Sequence, residues 1–582
     1  MSQMMTKTRS TKTKMIILGF IGSLFLVISS IVLLIYPFPS KEKVIYTNKQ
    51  FPIVANGEIY KSEAVIKNGV SYFPLDFVKE YIDDSIFLDA ATNSVIITTK
   101  NKVLQMPSNS LTYLVNEEPL NLEVPVFISD QEEPYLDLKT FEDLFQIKVE
   151  IHQESGIHVV RFDGDVLING SVKLNDKVDD LRLRTEPNVT TPYLDQVEVE
   201  EKVIIEFEEE GFYYVRKDNG VGGFIEKGHI KLGNTEKIRI AREEVPAPPN
   251  LKWPIHLVWE AVYSSNPDVN KLNVMPGVNV VSPTWFSLKN GKGDITNLGS
   301  DEYVKWAKEQ KYHIWGLFSN DFDPDKTHEA FKDFETRKKM ISQLLHYSEI
   351  YQLDGINIDI ENVYEEDGPL ITQFVREATP YLHEAGLVVS MDVTFISDSP
   401  MWSKFYEREK LSEIVDYMVV MAYDEHWGTS PKAGSVASLP WVEKNLRNLL
   451  EVVPSERLIL GIPLYSRIWK EKETDGGNIE VSSKAYGMDQ IQDWIDENKL
   501  EVEYDKATGQ NFAEYYDEKE KTLYKVWLED ETSLEKRVQL VHEYNLAGIA
   551  AWTRSFANDK AWTEMNESLS RKNPVKENND SK

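Results

Sequence analysis

The stretch Asp354-Gly355-Ile356-Asn357-Ile358-Asp359-Ile360-Glu361 alternates apolar and polar side chains from Ile356 onward. On a β-strand, residues two apart share a face. Asn357, Asp359 and Glu361 therefore point one way, and Ile356, Ile358 and Ile360 the other. A strand with three isoleucines on one face packs that face against covering elements. Its acidic face then looks either into the interior of a barrel or out to solvent. In a barrel, Glu361 falls at the C-terminal strand end, where active sites of such folds lie. Burial and a like-charged neighbour both raise a carboxyl pKa. A protonated glutamic acid in that place can give a proton to a leaving oxygen.

The sequence on either side favours the barrel. Apolar, β-rich runs recur at 255–262, 278–284, 313–318, 355–360, 387–395, 417–423, 457–463 and 547–552. Most are followed by helical spacing, as in 337–351 and 369–385. Eight such units over residues 253–570 predict an α/β fold, a (β/α)₈ TIM barrel. The long gap at 464–546 predicts a small inserted α+β subdomain.

Three further motifs stand in barrel order: MAYDEHW from Met421, LILGIPLYSRIW from Leu458 and AGIAAW from Ala547. Together with the DGxNxDxE stretch from Asp354, they resemble glycoside hydrolase family 18, the chitinase-like family. The resemblance covers essentially all of 253–570. It implies hydrolysis of O-glycosyl bonds with the substrate's own 2-acetamido oxygen as nucleophile, a scheme outside the usual pair of catalytic carboxylates. It implies Glu361 as general acid/base, Asp359 orienting the acetamido group, and Tyr423 hydrogen-bonding its carbonyl. Met421 and Asp424 are expected in the same subsite, with Trp552 as an apolar floor under the sugar. Asp354 is expected to support the strand beside the substrate-binding set. Arg467, Trp427 and Trp469 are candidates for the sugar groove.

One position departs from the family pattern. Asn357 stands where most chitinases carry an aspartate that shares a proton with the next one. An amide can instead donate a hydrogen bond, and the expectation is that it donates to Asp359 and favours the ionised form. The departure resembles a subset from spore-forming bacteria that acts on peptidoglycan. Substrate assistance requires an N-acetylhexosamine, so peptidoglycan and chitin are the candidate partners. The first reading is a glycosidase cleaving N-acetylglucosaminyl bonds of peptidoglycan. The alternatives are a chitinase or chito-oligosaccharide hydrolase, and an inactive chitinase-like carbohydrate-binding protein. The sequence shows no dedicated chitin-binding tail after the barrel.

The rest of the chain places the barrel. The protein has 582 residues, no cysteine, and 64 basic against 95 acidic residues, a net charge of −31. Without cysteine there is no disulfide, no thiolate metal site and no cysteine nucleophile. Lys and Arg cluster only in residues 1–14, which argues against nucleic acid as a partner. The ten His residues include no HExxH motif, and His426 stands alone in its loop, so neither metal nor cofactor is expected. Met15 to Tyr36 runs 22 residues without a charge. As a helix it reaches about 33 Å, enough for a hydrocarbon core of about 30 Å. With the basic tail 1–14 before it, this predicts a single-pass transmembrane anchor, with a cleaved signal peptide as the alternative; either way the bulk of the chain is expected in the extracytoplasmic wall zone, and with the anchor the tail stays cytoplasmic.

Residues 45–165 carry short β-runs and Asn-Gly turns. The stretch NGVSYFPLDFVKEYIDDSIFLDAATNSVIITTK from Asn68 resembles the copper-amine-oxidase N-terminal-like domain of bacterial surface proteins, a family name that implies no copper here. Within 166–233, Leu181-Arg182-Leu183-Arg184-Thr185-Glu186-Pro187 and GFYYVRKDNGVGGFI from Gly211 resemble a bacterial SH3-like domain. That likeness implies a small β-barrel, often a cell-wall-binding module. Residues 234–252 read as a proline-stiffened linker and 571–582 as a polar disordered tail.

Overall fold

The computed structural model describes residues 15–30, 38–121, 125–130, 133–173, 181–240, 251, 254–474 and 477–571. The chain divides into two compact units. One comprises residues 1–86, 108–112 and 121–244; the other comprises 87–107, 113–120 and 245–582.

The second unit holds the barrel. Its strands are β1 (Ile255–Glu260), β2 (Val280–Pro283), β3 (His313–Ser319), β4 (Gly355–Asp359), β5 (Val388–Thr394), β6 (Tyr417–Met421), β7 (Leu458–Pro463) and β8 (Gly548–Trp552). Each pairs in parallel with the next, and β8 pairs with β1, so the ring closes. All eight β-runs read from the sequence are these strands. Gly548 permits the closure: a Cβ there would stand 2.0 Å from the Ile255 carbonyl oxygen.

Alternation along the strands separates two cores. Ile255, Leu257, Trp259, Trp315, Leu317, Val419 and Ile459 fill the barrel interior. Ile356, Ile358 and Ile360 pack outward under the helices. The covering helices are α1 (Asp301–Glu309), α2 (Pro324–Phe331), α3 (Phe334–Tyr351), α4 (Gly368–Glu384), α5 (Arg408–Ile414) and α6 (Leu439–Leu449). After β7 comes the insertion, a five-stranded antiparallel sheet with α7 (Met488–Asn498) packed on it. The insertion lies within the 464–546 gap. Its last strand is Thr522–Trp527, and the chain then returns to the barrel as α8 (Glu531–Glu543), started by the Asp530–Ser533 capping pair. Helix α9 (Asp559–Ser570) follows β8.

A second five-stranded sheet in this unit begins with Phe87–Asp89, Ser94–Thr98 and Val103–Pro107. It is keyed to the barrel helices by buried charge. Asp89 Oδ2 accepts the Phe334 N–H at 2.7 Å and lies 3.6 Å from the Arg337 guanidinium, which in turn forks onto Glu377 at 2.8 and 2.9 Å.

In the other unit, Pro52–Ala55, Glu58–Glu63, Ile147–His152 and Ile157–Phe162 form one sheet, while Val65–Lys67, Val70–Pro74, Phe127–Asp130 and Glu133–Leu136 form another. Residues 166–237 make a seven-stranded antiparallel sheet around Leu183, Val203, Ile205, Val215 and Ile225. Its last strand, Ile230–Lys237, runs four residues into the stretch expected to be linker, because Val166–Val172 offers it a full pairing edge. Residues 241–250 and 252–253 of that linker lie outside the described residues, as do the basic tail 1–14 and residues 572–582. Residues 15–30 are helical, and 31–36 of the expected anchor are also outside. Among the described residues no helix is long and apolar enough to cross a membrane.

Candidate active site

The polar face of β4 looks into the barrel, as its alternation requires. At its end a cavity of about 440 Å³ opens among Trp259 of β1, Ser319 of β3, Asp359 of β4, Asp392 of β5, Met421 of β6 and Trp552 of β8, with Glu361, Tyr423 and Asp424 just beyond the strands. Each barrel strand in that set contributes from its C-terminal part, so the cavity occupies the catalytic face of the fold. Trp285, Tyr263 and Phe322 widen it on one side.

Asn357 lies beneath the cavity rather than in its wall, and it does not donate to Asp359. Its Oδ1 accepts from Trp259 Nε1 at 2.9 Å and from the Ser282 hydroxyl at 3.1 Å. Its Nδ2 donates to Asp392 Oδ1 at 2.8 Å and to Ser390 Oγ at 3.1 Å. The reason is lateral: β4 and β5 pair Asn357 with Ser390, which leaves the amide facing the neighbouring strand. Asp392, Ser390, Ser282 and Trp259 are thus site residues that the sequence reading missed. The signal was present in Val388–Thr394, where Ser390 and Asp392 alternate with apolar residues as Asn357 and Asp359 do.

Asp359 is correspondingly not held ionised. Its Oδ1 is buried with no hydrogen-bond partner among the described residues, and burial pushes its pKa up to about 7. Burial and the charges of Asp359, Asp392 and Asp424 hold the Glu361 carboxyl well above the usual range. Burial and Asp359 raise Asp392 likewise, against the partial offset of the Asn357 amide. Tyr423 is kept a neutral phenol by burial and by the same carboxylates. The result is a proton-holding cluster facing a cavity, the environment a general acid needs.

The remaining candidates divide. Met421 and Trp552 line the cavity, and Trp552 stands edge-on to Trp259 at 6.0 Å between ring centroids. Asp424, in a left-handed conformation with φ 59°, accepts from the Tyr465 hydroxyl at 2.7 Å and from Arg467 at 3.3 Å. Arg467 therefore reaches the site through Asp424 and is not a wall of the cavity. Trp427 is exposed with its Nε1 on Thr429, and Trp469 is fully buried with its Nε1 on the Gly434 carbonyl; neither lines the cavity. Asp354 is at the opposite end of β4, where it accepts the Ile314 N–H at 2.9 Å and faces His313. Four residues of strand separate it from Asp359, so it braces the barrel bottom, away from the cavity.

Residues 286–557 match the family model for glycosyl hydrolases family 18. That match spans the barrel from Phe286 to its last strand. The match and the glycosylase relatives support hydrolysis of glycosidic bonds as the class of chemistry. Residues 54–160 match the copper amine oxidase N-terminal domain. Among curated proteins, the chain is 26% identical over 296 residues to an uncharacterized glycosylase, YvbX, of Bacillus subtilis (strain 168), covering 49% of this chain and 83% of that one. It is 26% identical over 255 residues to the cortical fragment-lytic enzyme of the same organism, covering 43% of this chain and 57% of the relative, little more than half its length. A solved chitinase from Chromobacterium violaceum ATCC 12472 aligns with 21% identity and a TM-score of 0.49, over 55% of this chain and all of that one. In family 18 terms, the cavity holds Glu361, Asp359 and Tyr423 together, and the substituted signature position is the buried amide of Asn357.

Proposed function

We propose that the barrel hydrolyses N-acetylglucosaminyl bonds of peptidoglycan by a substrate-assisted, retaining mechanism. The observation that carries the reading is the Asp359–Glu361 pair: two carboxyls two residues apart, both facing one cavity, both with raised pKa values. Glu361 enters protonated. The acetamido carbonyl oxygen attacks the anomeric carbon as the glycosidic bond breaks, and the Glu361 proton goes to the leaving oxygen. Asp359, ionised for this step, accepts the acetamido N–H and balances the oxazolinium charge. Tyr423 hydrogen-bonds the acetamido oxygen. Glu361, now a carboxylate, takes a proton from water, and the hydroxide oxygen opens the oxazolinium from the face the leaving group vacated. Two inversions give net retention.

The cavity also favours the sugar. Among its lining residues are Asp321, Asp359, Glu361, Asp392 and Asp424, and no Lys, Arg or His. A neutral N-acetylglucosamine suits such a wall. The lactyl carboxylate of N-acetylmuramic acid would find no cationic partner in that wall. The likeness to a cortical fragment-lytic enzyme supports a wall glycan. The exposed apolar side chains of the 15–30 helix support an anchor, and the seven-stranded 166–237 module supports an SH3-like wall contact.

The test is to incubate the detergent-solubilised full-length protein with purified peptidoglycan and, in parallel, with chitin oligomers, and to read the fragments by mass spectrometry. New reducing ends at N-acetylglucosamine from peptidoglycan are expected. Reducing ends at N-acetylmuramic acid, or cleavage of chitin alone, would overturn the reading.

A further inference from the structure

The Glu361 backbone lies where the sheet has run out. β4 ends at Asp359, its last partner on β3 is Ser319, and its last on β5 is Met391. The peptide groups around Glu361 are therefore left without ladder bonds, and buried peptide groups need partners. The residue after Ser319 supplies them. Asn320 is fully buried; its Oδ1 accepts the Glu361 N–H at 3.1 Å and its Nδ2 donates to the Glu361 carbonyl at 2.7 Å. One side-chain amide thus imitates the next peptide of β3.

The clamp is itself oriented. The other Nδ2 hydrogen goes to the buried Thr327 hydroxyl at 2.9 Å, on α2, and Oδ1 also accepts the Phe322 N–H at 3.3 Å. Phe322 and Asp321 both adopt left-handed backbone conformations and both line the cavity. On the other side, the Tyr406 hydroxyl donates to the Ile360 carbonyl at 2.8 Å. An asparagine is suited to this place because it carries an acceptor and two donors on one planar group. Asp would lose both donors, and Ala would leave a buried N–H and C=O unpaired.

We infer that Asn320 is the positioning residue for the general acid: it fixes the Glu361 backbone beyond the end of β4 and ties it to the 321–322 wall of the cavity. The inference rests on the role proposed for Glu361. Asn320 touches no reacting atom, so its loss should act on turnover and on the protonation of Glu361, not on sugar binding.

The experiment measures hydrolysis of peptide-free peptidoglycan strands by the full-length protein as wild type, Asn320→Ala, Thr327→Val and Glu361→Gln. Misplacing a catalytic group by about 1 Å can cost about 100-fold. Asn320→Ala should therefore lower kcat about 100-fold with KM within about twofold, and should move the basic limb of the pH profile to lower pH as Glu361 meets water. Thr327→Val, which removes one bond from the amide and one from the Asp323 carbonyl but leaves both Asn320–Glu361 bonds, should do the same more weakly. Unchanged kcat and basic limb in a folded Asn320→Ala would overturn the inference. Should Asn320→Ala fail to fold, Thr327→Val decides: a normal kcat and pH profile there would overturn it equally. Activity retained by Glu361→Gln would instead refute the role given to Glu361.

Discussion

At the scale of single residues, the proposed mechanism asks Glu361 and Asp359 to do opposite things with their protons. Glu361 has to keep one and Asp359 has to lose one for the first step. Activity should therefore fall on the acid side as Asp359 takes up its proton below about pH 7, and on the basic side as Glu361 loses its own. A kcat profile across about pH 5 to 10 checks this. Glu361→Gln keeps the shape but not the proton. It should lower kcat by about 10²–10⁴-fold while leaving oligosaccharide binding in place, as read by calorimetry. The same burial makes a stability statement. Folding raises the Asp359 pKa from 3.8 to about 7, so it favours the protonated form. That contribution is fully present below the unfolded value and is lost as pH rises through the folded one. Asp359→Asn should accordingly raise the melting temperature relative to wild type above pH 7 and gain little near pH 4, as scanning calorimetry would show. Asp359, Glu361, Tyr423, Met421 and Trp552 were legible in the sequence because strand period and motif order place them. The partner of Asn357 was not. Period two says which face a side chain takes, but the lateral neighbour, Asp392, lies 35 residues away on another strand. Asp354, expected to support the strand, does so from the other end of β4, where it accepts the Ile314 N–H.

Elements were read more securely in their cores than at their ends. The eight strands are long apolar runs whose type no local competition obscures. Within the 464–546 gap, the return to the barrel is marked in the sequence only by the capping pair at Asp530 and Ser533, where α8 begins. The sheet that starts at Phe87 was invisible as a barrel partner, since nothing in its own sequence names the helix it meets. Asp89 is what joins them. It caps α3 through the Phe334 N–H and faces Arg337, whose side chain is wholly buried. Removing one member of a buried charge cluster leaves the others uncompensated. Asp89→Ala should therefore destabilise the barrel unit by about 3–5 kcal/mol in denaturant unfolding of the full chain, with an unaltered KM in the folded protein. A change within about 0.5 kcal/mol would mean that the cluster is solvated and the sheet dispensable.

Over the whole molecule, the modules divide the work. In the proposed mechanism the barrel supplies the proton and the substrate supplies the attacking oxygen, so only an N-acetylated sugar completes the chemistry. The apolar helix and the 166–237 module are proposed to keep that barrel in the wall zone, where such sugars are abundant. The net charge of −31 fits neutral glycan at the reacting position better than a polyanion. The central claim is that the substrate provides the attacking oxygen and Glu361 the proton. A matched pair of glycan strands tests it most directly, one N-acetylated and one carrying free glucosamine at the sugar to be cleaved. The account predicts cleavage of the acetylated strand with retained configuration and turnover at least about 10³-fold slower on the deacetylated one, since a bound intramolecular nucleophile is worth that much or more. Equal rates on both strands would contradict it and would require a nucleophile from the protein.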